Sequence, residues 1–286
     1  MEKLPIWGTV KESFSFCFSN IGALVKLSLI PIAIYAALII GKFYLYDAVL
    51  IDTLMGNNDG LADLEFSVLP YVFQLISVFV VLPIITAWHR NYLVSYETGE
   101  PARLQFSSNE IRYLMYLILV FILIIVSIVA PISAGIWLIT SETAPFFGFA
   151  CVFLGGVLAL FVSSRLTMVF PAAAIGAKAG LKDSWRATKG SVFRIIATQL
   201  LLALIVIAFL VAVVGLIGAV ITPMFMTGNL EADALKQLTL FSGLVYIPVE
   251  VLVTAISVSC LSIIYKFLST RDDRVEAESV VGSENY

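Results

Sequence analysis

Charge is scarce in this sequence. Only 13% of its 286 residues are Asp, Glu, Lys or Arg, against about 25% in an ordinary globular domain. That shortage excludes a wetted globular surface. A net charge of −3 supplies no basic field for a nucleic acid. Histidine is nearly missing, with His89 alone, so neither a histidine metal site nor a catalytic pair has a second member. The three cysteines, Cys17, Cys151 and Cys260, are scattered and odd in number. They form no disulfide framework and no CxxC motif, and read as small apolar packing residues. A phosphate-binding glycine loop, a G-x-S-x-G elbow and an HExxH helix are also lacking. The expectation is therefore no enzyme, no cofactor and no metal. Asn57-Asn58-Asp59-Gly60 resembles a calcium loop only superficially, because Met55 stands at the first ligand position. It reads as a turn. Nor is Met1-Glu2-Lys3-Leu4-Pro5 followed at once by a short apolar core and a small-residue cleavage site, so no cleaved secretory signal is expected.

Apolar sequence is what the chain has in abundance: 60% of its residues are hydrophobic and the mean hydropathy is +1.00. Residues 66–88, 113–141, 143–164 and 195–230 contain no charged residue or histidine. The run 21–45 holds only Lys26 and Lys42 near its ends, and 238–268 only Glu250 and Lys266. A helix needs about 20 apolar residues to cross the hydrocarbon core, and long lysine stems reach out to the interface. Six spans are predicted, at about 21–45, 67–88, 112–140, 145–172, 194–221 and 240–267. They are helices because lipid offers backbone groups no partner. The continuously apolar runs do not alternate as barrel strands do. Residues 1–270 form one all-α membrane domain, and 271–286 a polar, flexible tail.

Basic residues set the topology. Lys3, Lys11 and Lys26; Arg90, Arg103 and Arg112; Arg165, Lys178, Lys182, Arg186, Lys189 and Arg194; and Lys266, Arg271 and Arg274 all fall on one side of this six-span plan. Only Lys42 and Lys236 fall on the other. The positive-inside rule places both termini in the cytoplasm. The first outer loop is acidic, with Asp47, Asp52, Asp59, Asp63 and Glu65.

A unit of a short amphipathic segment followed by spanning helices repeats in parallel. Lys11-Glu12-Ser13-Phe14 precedes helix 1 and Lys182-Asp183-Ser184-Trp185 precedes helix 5. Phe106-Ser107-Ser108-Asn109 before helix 3 is a weaker copy. Trp7, Val10, Phe14, Cys17, Phe18 and Ile21 recur mostly at intervals of three and four. That stripe predicts an interfacial helix with its aromatics in the acyl boundary.

Residues 165–201 read RLTMVFPAAAIGAKAGLKDSWRATKGSVFRIIATQLL. Arg165, Pro171, Gly176, Ser184, Trp185, Thr188 and Gly190 form a pattern ahead of a new membrane helix. It resembles the membrane domain that precedes the catalytic barrel of bacterial glycerophosphodiester phosphodiesterases, and related six-helix bacterial inner-membrane proteins. The six-helix layout covers nearly the whole chain and the motif under 40 residues. The resemblance implies a multi-pass protein of the bacterial cytoplasmic membrane. It carries no catalytic residue over, because the polar sequence here amounts to loops and a short tail.

Polar groups within or beside the spans are the candidate sites. Arg165 lies about 10 Å inside helix 4 and serves either helix bonding and snorkelling or a ligand. Glu250 sits about 24 Å along the axis from Lys266, with Thr254 and Ser257 continuing its stripe. It is a candidate for a cation or a proton, or is simply hydrated or neutral. A direct Arg165–Glu250 pair is not expected, since the two lie at different depths. Lys178, Lys182, Arg186 and Lys189 fall within about 80° on one helical face. They either set topology or hold anionic lipid. Trp88 and Trp185 read as interfacial anchors. Gly148, Gly155, Gly156, Ala159, Gly215 and Ala219 allow close helix contacts. Two functional classes follow. One is a non-catalytic protein that organises or assists membrane partners or lipids. The other is a small transporter or channel using Arg165 and the Glu250, Thr254, Ser257 stripe.

Overall fold

A computed structural model describes residues 3–56, 68–95, 98–99, 101–141, 144–226 and 232–283. The segment Asn57-Asn58-Asp59-Gly60 lies outside them, as do Asp59, Asp63 and Glu65 of the acidic loop. The described chain is helical, and no strand occurs in it. In order, it forms α1 (Ile6–Ser19), α2 (Ile21–Lys42), a π-helical turn (Phe43–Asp47), α3 (Ala48–Leu54), α4 (Leu69–Arg90), a second π turn (Asn91–Ser95), α5 (Ser108–Thr140), α6 (Pro145–Leu166), α7 (Val169–Ala174), α8 (Leu181–Ala187), α9 (Val192–Met226) and α10 (Ala232–Ser283).

Six helical stretches are long and apolar enough to cross a membrane: Ile21–Leu54, Leu69–Ser95, Ser108–Thr140, Pro145–Ala174, Val192–Leu216 and Ala232–Arg271. They match the six predicted spans and differ at the ends. The first runs past Lys42 through its π turn, and the last begins earlier, at Ala232. Helical backbone continues to Ser283 across most of the polar segment expected as a tail. Phe121, Phe153, Leu204 and Val214 are exposed on these helices, each by 60% or more. Apolar surface on that scale is not tolerated in water and calls for lipid.

The chain divides into two compact units. The first comprises residues 1–16, 86–201 and 257–286; the second comprises 17–85 and 202–256. In the first, α5 and α6 make the most extensive helix pair. They run antiparallel, and glycines let their backbones touch. A Cβ on Gly135 would lie 2.7 Å from the Gly148 carbonyl oxygen, and one on Gly148 would lie 2.6 Å from Ile139 Cγ1. Gly155 faces Pro131 at 3.3 Å. Gly156 and Gly215 face open space, so their small size serves no packing role here. Beside this crossing, Val120, Leu166 and Val169 form a buried cluster joined by Tyr116, Phe170 and Leu181.

The start of α5 corrects the third repeat. Ser107 is a helix cap rather than part of an amphipathic elbow. Its hydroxyl accepts from Asn109 N–H, and Glu110 accepts from Ser107 N–H at 2.7 Å, closing a capping box. The first two copies do keep a common plan: α1 ends one residue before α2, and α8 ends shortly before α9.

The α1 stripe divides between two environments. Trp7, Phe18 and Ile21 are exposed as expected, whereas Val10 and Cys17 are buried. Thr9 and Ser13 are buried with them, contrary to a stripe drawn from apolar residues alone. Each satisfies its hydroxyl on its own helix, Thr9 on Pro5 O at 2.8 Å and Ser13 on Thr9 O at 2.7 Å, which removes most of the cost of burial. Within the first unit α1 also docks by Phe16, which stacks on Trp88 and Tyr92, and by Glu12, which accepts from the Tyr92 hydroxyl at 2.6 Å. Burial pushes the Cys17 thiol up to about 11, so it is not a reactive thiolate at neutral pH.

Gly148→Val forces the α5–α6 backbones apart and costs roughly 1–3 kcal/mol. Gly156→Ala, made where there is space, leaves stability unchanged or raises it. Thermal unfolding of both variants in mild detergent separates the two glycines.

Candidate functional site

The motif that carries the family resemblance closes into a clamp. After α6 ends at Leu166, α7 turns the chain, and Gly176 takes a left-handed φ of 78°. The following carbonyls are held from α5: Arg112 Nη1 donates to Ala177 O at 3.2 Å and the Tyr116 hydroxyl to Ala179 O at 3.4 Å. The short α8 is then tied back to α6 in both directions. Ser184 Oγ donates to Arg165 O at 2.7 Å, and Arg165 Nη1 donates to Trp185 O at 2.9 Å. The guanidinium lies over Trp185, 4.9 Å from the ring centroid, and 5.4 Å from that of Phe161. Thr188 is fully buried and donates to Ser184 O at 2.9 Å. From α10, Arg271 donates to Ala187 O at 2.7 Å and to Ser191 Oγ at 2.9 Å.

Arg165 therefore spends its fork on the elbow's backbone and rings, and its Nε is enclosed without a hydrogen-bond partner. What the elbow presents outward is positive. Lys178, Lys182, Arg186 and Lys189 are all exposed, while the neighbouring Asp183 accepts from Gly180 N–H at 2.9 Å. The single helical face predicted for the four is not realised. Only Lys182 and Arg186 lie on α8, because Gly180 begins it and Gly190, with φ of 80°, follows its end. Lys178 and Lys189 flank the helix instead. Trp185 is 43% exposed, in keeping with an interfacial anchor. Trp88 is not one: it is 1% exposed, and its Nε1 donates to Ser259 Oγ at 2.9 Å.

An ionic network that the sequence reading passed over lies in the same unit. Glu110 is fully buried. Its Oε1 accepts from Arg90 at 2.6 Å and Thr86 at 3.1 Å, and its Oε2 accepts from the Ser107 hydroxyl and N–H. Arg90 also reaches Ala174 O and Arg103 O. The available signals were Ser107-x-x-Glu110, a capping box, and the basic residue following Trp88-His89. His89 is buried too, 2.8 Å from Ser262 Oγ through Nδ1.

In the second unit, Glu250 lines a narrow cleft of about 20 Å³ with Tyr35, Pro31, Ile84 and Thr254. Tyr35 hydrogen-bonds its carboxyl group, and Glu250 Oε2 is buried without a partner. Thr254 shares this cleft, whereas Ser257 belongs to the first unit, as does Arg165. The two lysines expected on the minority side both pair with acids of their own unit, Lys42 with Asp47 at 2.9 Å and Lys236 with Asp52 at 2.7 Å.

These features define a polytopic helical membrane protein with a basic interfacial elbow. No protein-family model, curated protein or solved structure matches the chain.

Removing one partner of a buried ion pair costs about 3–5 kcal/mol. Arg90→Ala is expected to fall in that range by detergent unfolding. Arg165→Ala frees the elbow, so that trypsin cuts faster at Lys182, Arg186 and Lys189. Arg165→Lys does not restore protection, because an ammonium lacks the planar fork and stack.

Proposed function

We propose that the protein is a non-catalytic, multi-pass protein of the bacterial cytoplasmic membrane that holds anionic lipid at its elbow and so organises membrane partners. The observation carrying this reading is the clamped α8. Arg165, Ser184 and Thr188 fix its backbone, while Lys178, Lys182, Arg186 and Lys189 stay exposed beside Trp185. A fixed array of cations costs less ordering entropy on binding than a mobile one. Each cation near an anionic surface contributes about 1 kcal/mol. The positive-inside rule supports an elbow and both termini on the cytoplasmic side, and the resemblance supports the same membrane plan.

Each charge removed from this array weakens retention of phosphatidylglycerol or cardiolipin about fivefold. Native mass spectrometry of the full chain with Lys178, Lys182, Arg186 and Lys189 changed singly and together to Gln reads this directly. Unchanged anionic-lipid retention in the quadruple variant sinks the reading.

A second reading, a small transporter or channel, is favoured by the Glu250 cleft. An unpartnered carboxyl oxygen beside Tyr35 and Thr254 is suited to a proton or a small cation. On this reading Glu250→Gln abolishes flux in proteoliposomes while thermal unfolding is unchanged. Absence of protein-dependent flux across a solute panel counts against it.

A further inference from the structure

The second unit holds a groove of about 480 Å³, the size of a small-molecule site. Its walls are almost entirely apolar, with Ile39, Leu210, Val213, Val214 and Leu240 among them. Gly243 keeps it open beside Ile39, where a Cβ would come within 3.2 Å of that side chain. The hydroxyls of Thr239 and Ser242 are turned to helix carbonyls and offer a ligand little. The remaining polar feature is the ion pair between Lys42 and Asp47, at 2.9 and 3.0 Å.

That pair is built by the π turn. In an α-helix, residues five apart point about 140° away from each other. Here the turn Phe43–Asp47 is wound wider, and Ala48 N–H donates to Phe43 O, five residues back. The wider turn brings Lys42 and Asp47 together against the groove. Both remain partly exposed, at 38% and 23%, so each can exchange its partner for a ligand charge.

We propose that this groove binds one acyl chain of a zwitterionic phospholipid of the phosphoethanolamine class, its phosphate on Lys42 and its ammonium on Asp47. A site with one cation and one anion side by side matches a headgroup that carries one of each. An anionic phosphoglycerol headgroup satisfies Lys42 but sets its phosphate against Asp47. A choline headgroup has no N–H to donate to the carboxylate. This site is separate from the elbow in position and in headgroup chemistry, and it does not depend on the reading of the elbow.

The test uses the full chain, delipidated in mild detergent and given equal amounts of phosphatidylethanolamine, phosphatidylcholine and phosphatidylglycerol with identical acyl chains. Native mass spectrometry then counts bound lipids. The expected result is one phosphatidylethanolamine retained about tenfold over phosphatidylcholine, the scale of one charge-assisted hydrogen bond. Asp47→Asn removes that preference, and Lys42→Gln lowers retention of phosphatidylethanolamine about tenfold. Val214→Trp fills the groove from an exposed position and displaces the lipid without disturbing a packed core. It decides the matter even if the charge variants fold poorly. No preference for phosphatidylethanolamine overturns the proposal. So does a preference that survives both Val214→Trp and Asp47→Asn, or a lipid-free dimer in which a second copy of the chain fills the groove. Loss of phosphatidylglycerol alone, in the elbow variants, bears on the elbow and not on this groove.

Discussion

A backbone carbonyl with no partner is costly wherever water is excluded, and helix ends produce several at a time. The turns of the first unit are organised around that constraint. Arg90 donates to Ala174 O and Arg103 O, Arg112 to Ala177 O, Arg165 to Trp185 O, Arg194 to Leu4 O and Arg271 to Ala187 O. The same residues that read as topology signals therefore hold the connecting turns. Arginine suits both tasks, since its fork keeps its charge and offers several donors in fixed directions. The elbow's lysines make no such contribution, which leaves them outward. Division of labour between the two cations is thus visible within one short stretch, from Arg165 to Lys189.

The membrane plan was legible in the sequence because lipid imposes a length and a composition that few other environments demand. All six spans fell where apolar runs placed them. Their ends were less legible, because charge was taken as the boundary. Lys42 and Lys236 sit within helices that continue around them, each neutralised by an acid of its own unit, Asp47 and Asp52. Glu110 was missed for a related reason. A search for charge-free runs begins after Arg112 and discards the carboxylate that anchors the helix start. Its local cue, a serine three residues upstream, marks a cap from sequence alone, but the Arg90 pairing spans 20 residues and has no local signature.

Side-chain chemistry also blurred the faces of short helices. A hydroxyl that bonds its own helix behaves as a small, nearly apolar group, so Thr9 and Ser13 joined the buried face of α1. Periodicity counts treat them as polar. At the elbow, periodicity treated 178–189 as one helix, whereas glycines limit α8 to Leu181–Ala187. Arg165 was legible as unusual, but its use was not. Its partners are a backbone carbonyl and two rings, and only Trp185 among the elbow residues had been marked as an aromatic of note.

The π turn at Phe43–Asp47 has a consequence for inheritance. Such a turn differs from an ordinary helical one by a single residue of chain. Deleting that residue rewinds the helix, rotating everything that follows by about 100°, and carries Asp47 away from Lys42. A length change of one codon would thus disassemble the rim, while substitution at either charge would alter it only in part. Among relatives of this chain, gain or loss of the paired rim is therefore expected to be abrupt and recorded as a gap in alignment, not as gradual drift in residue type.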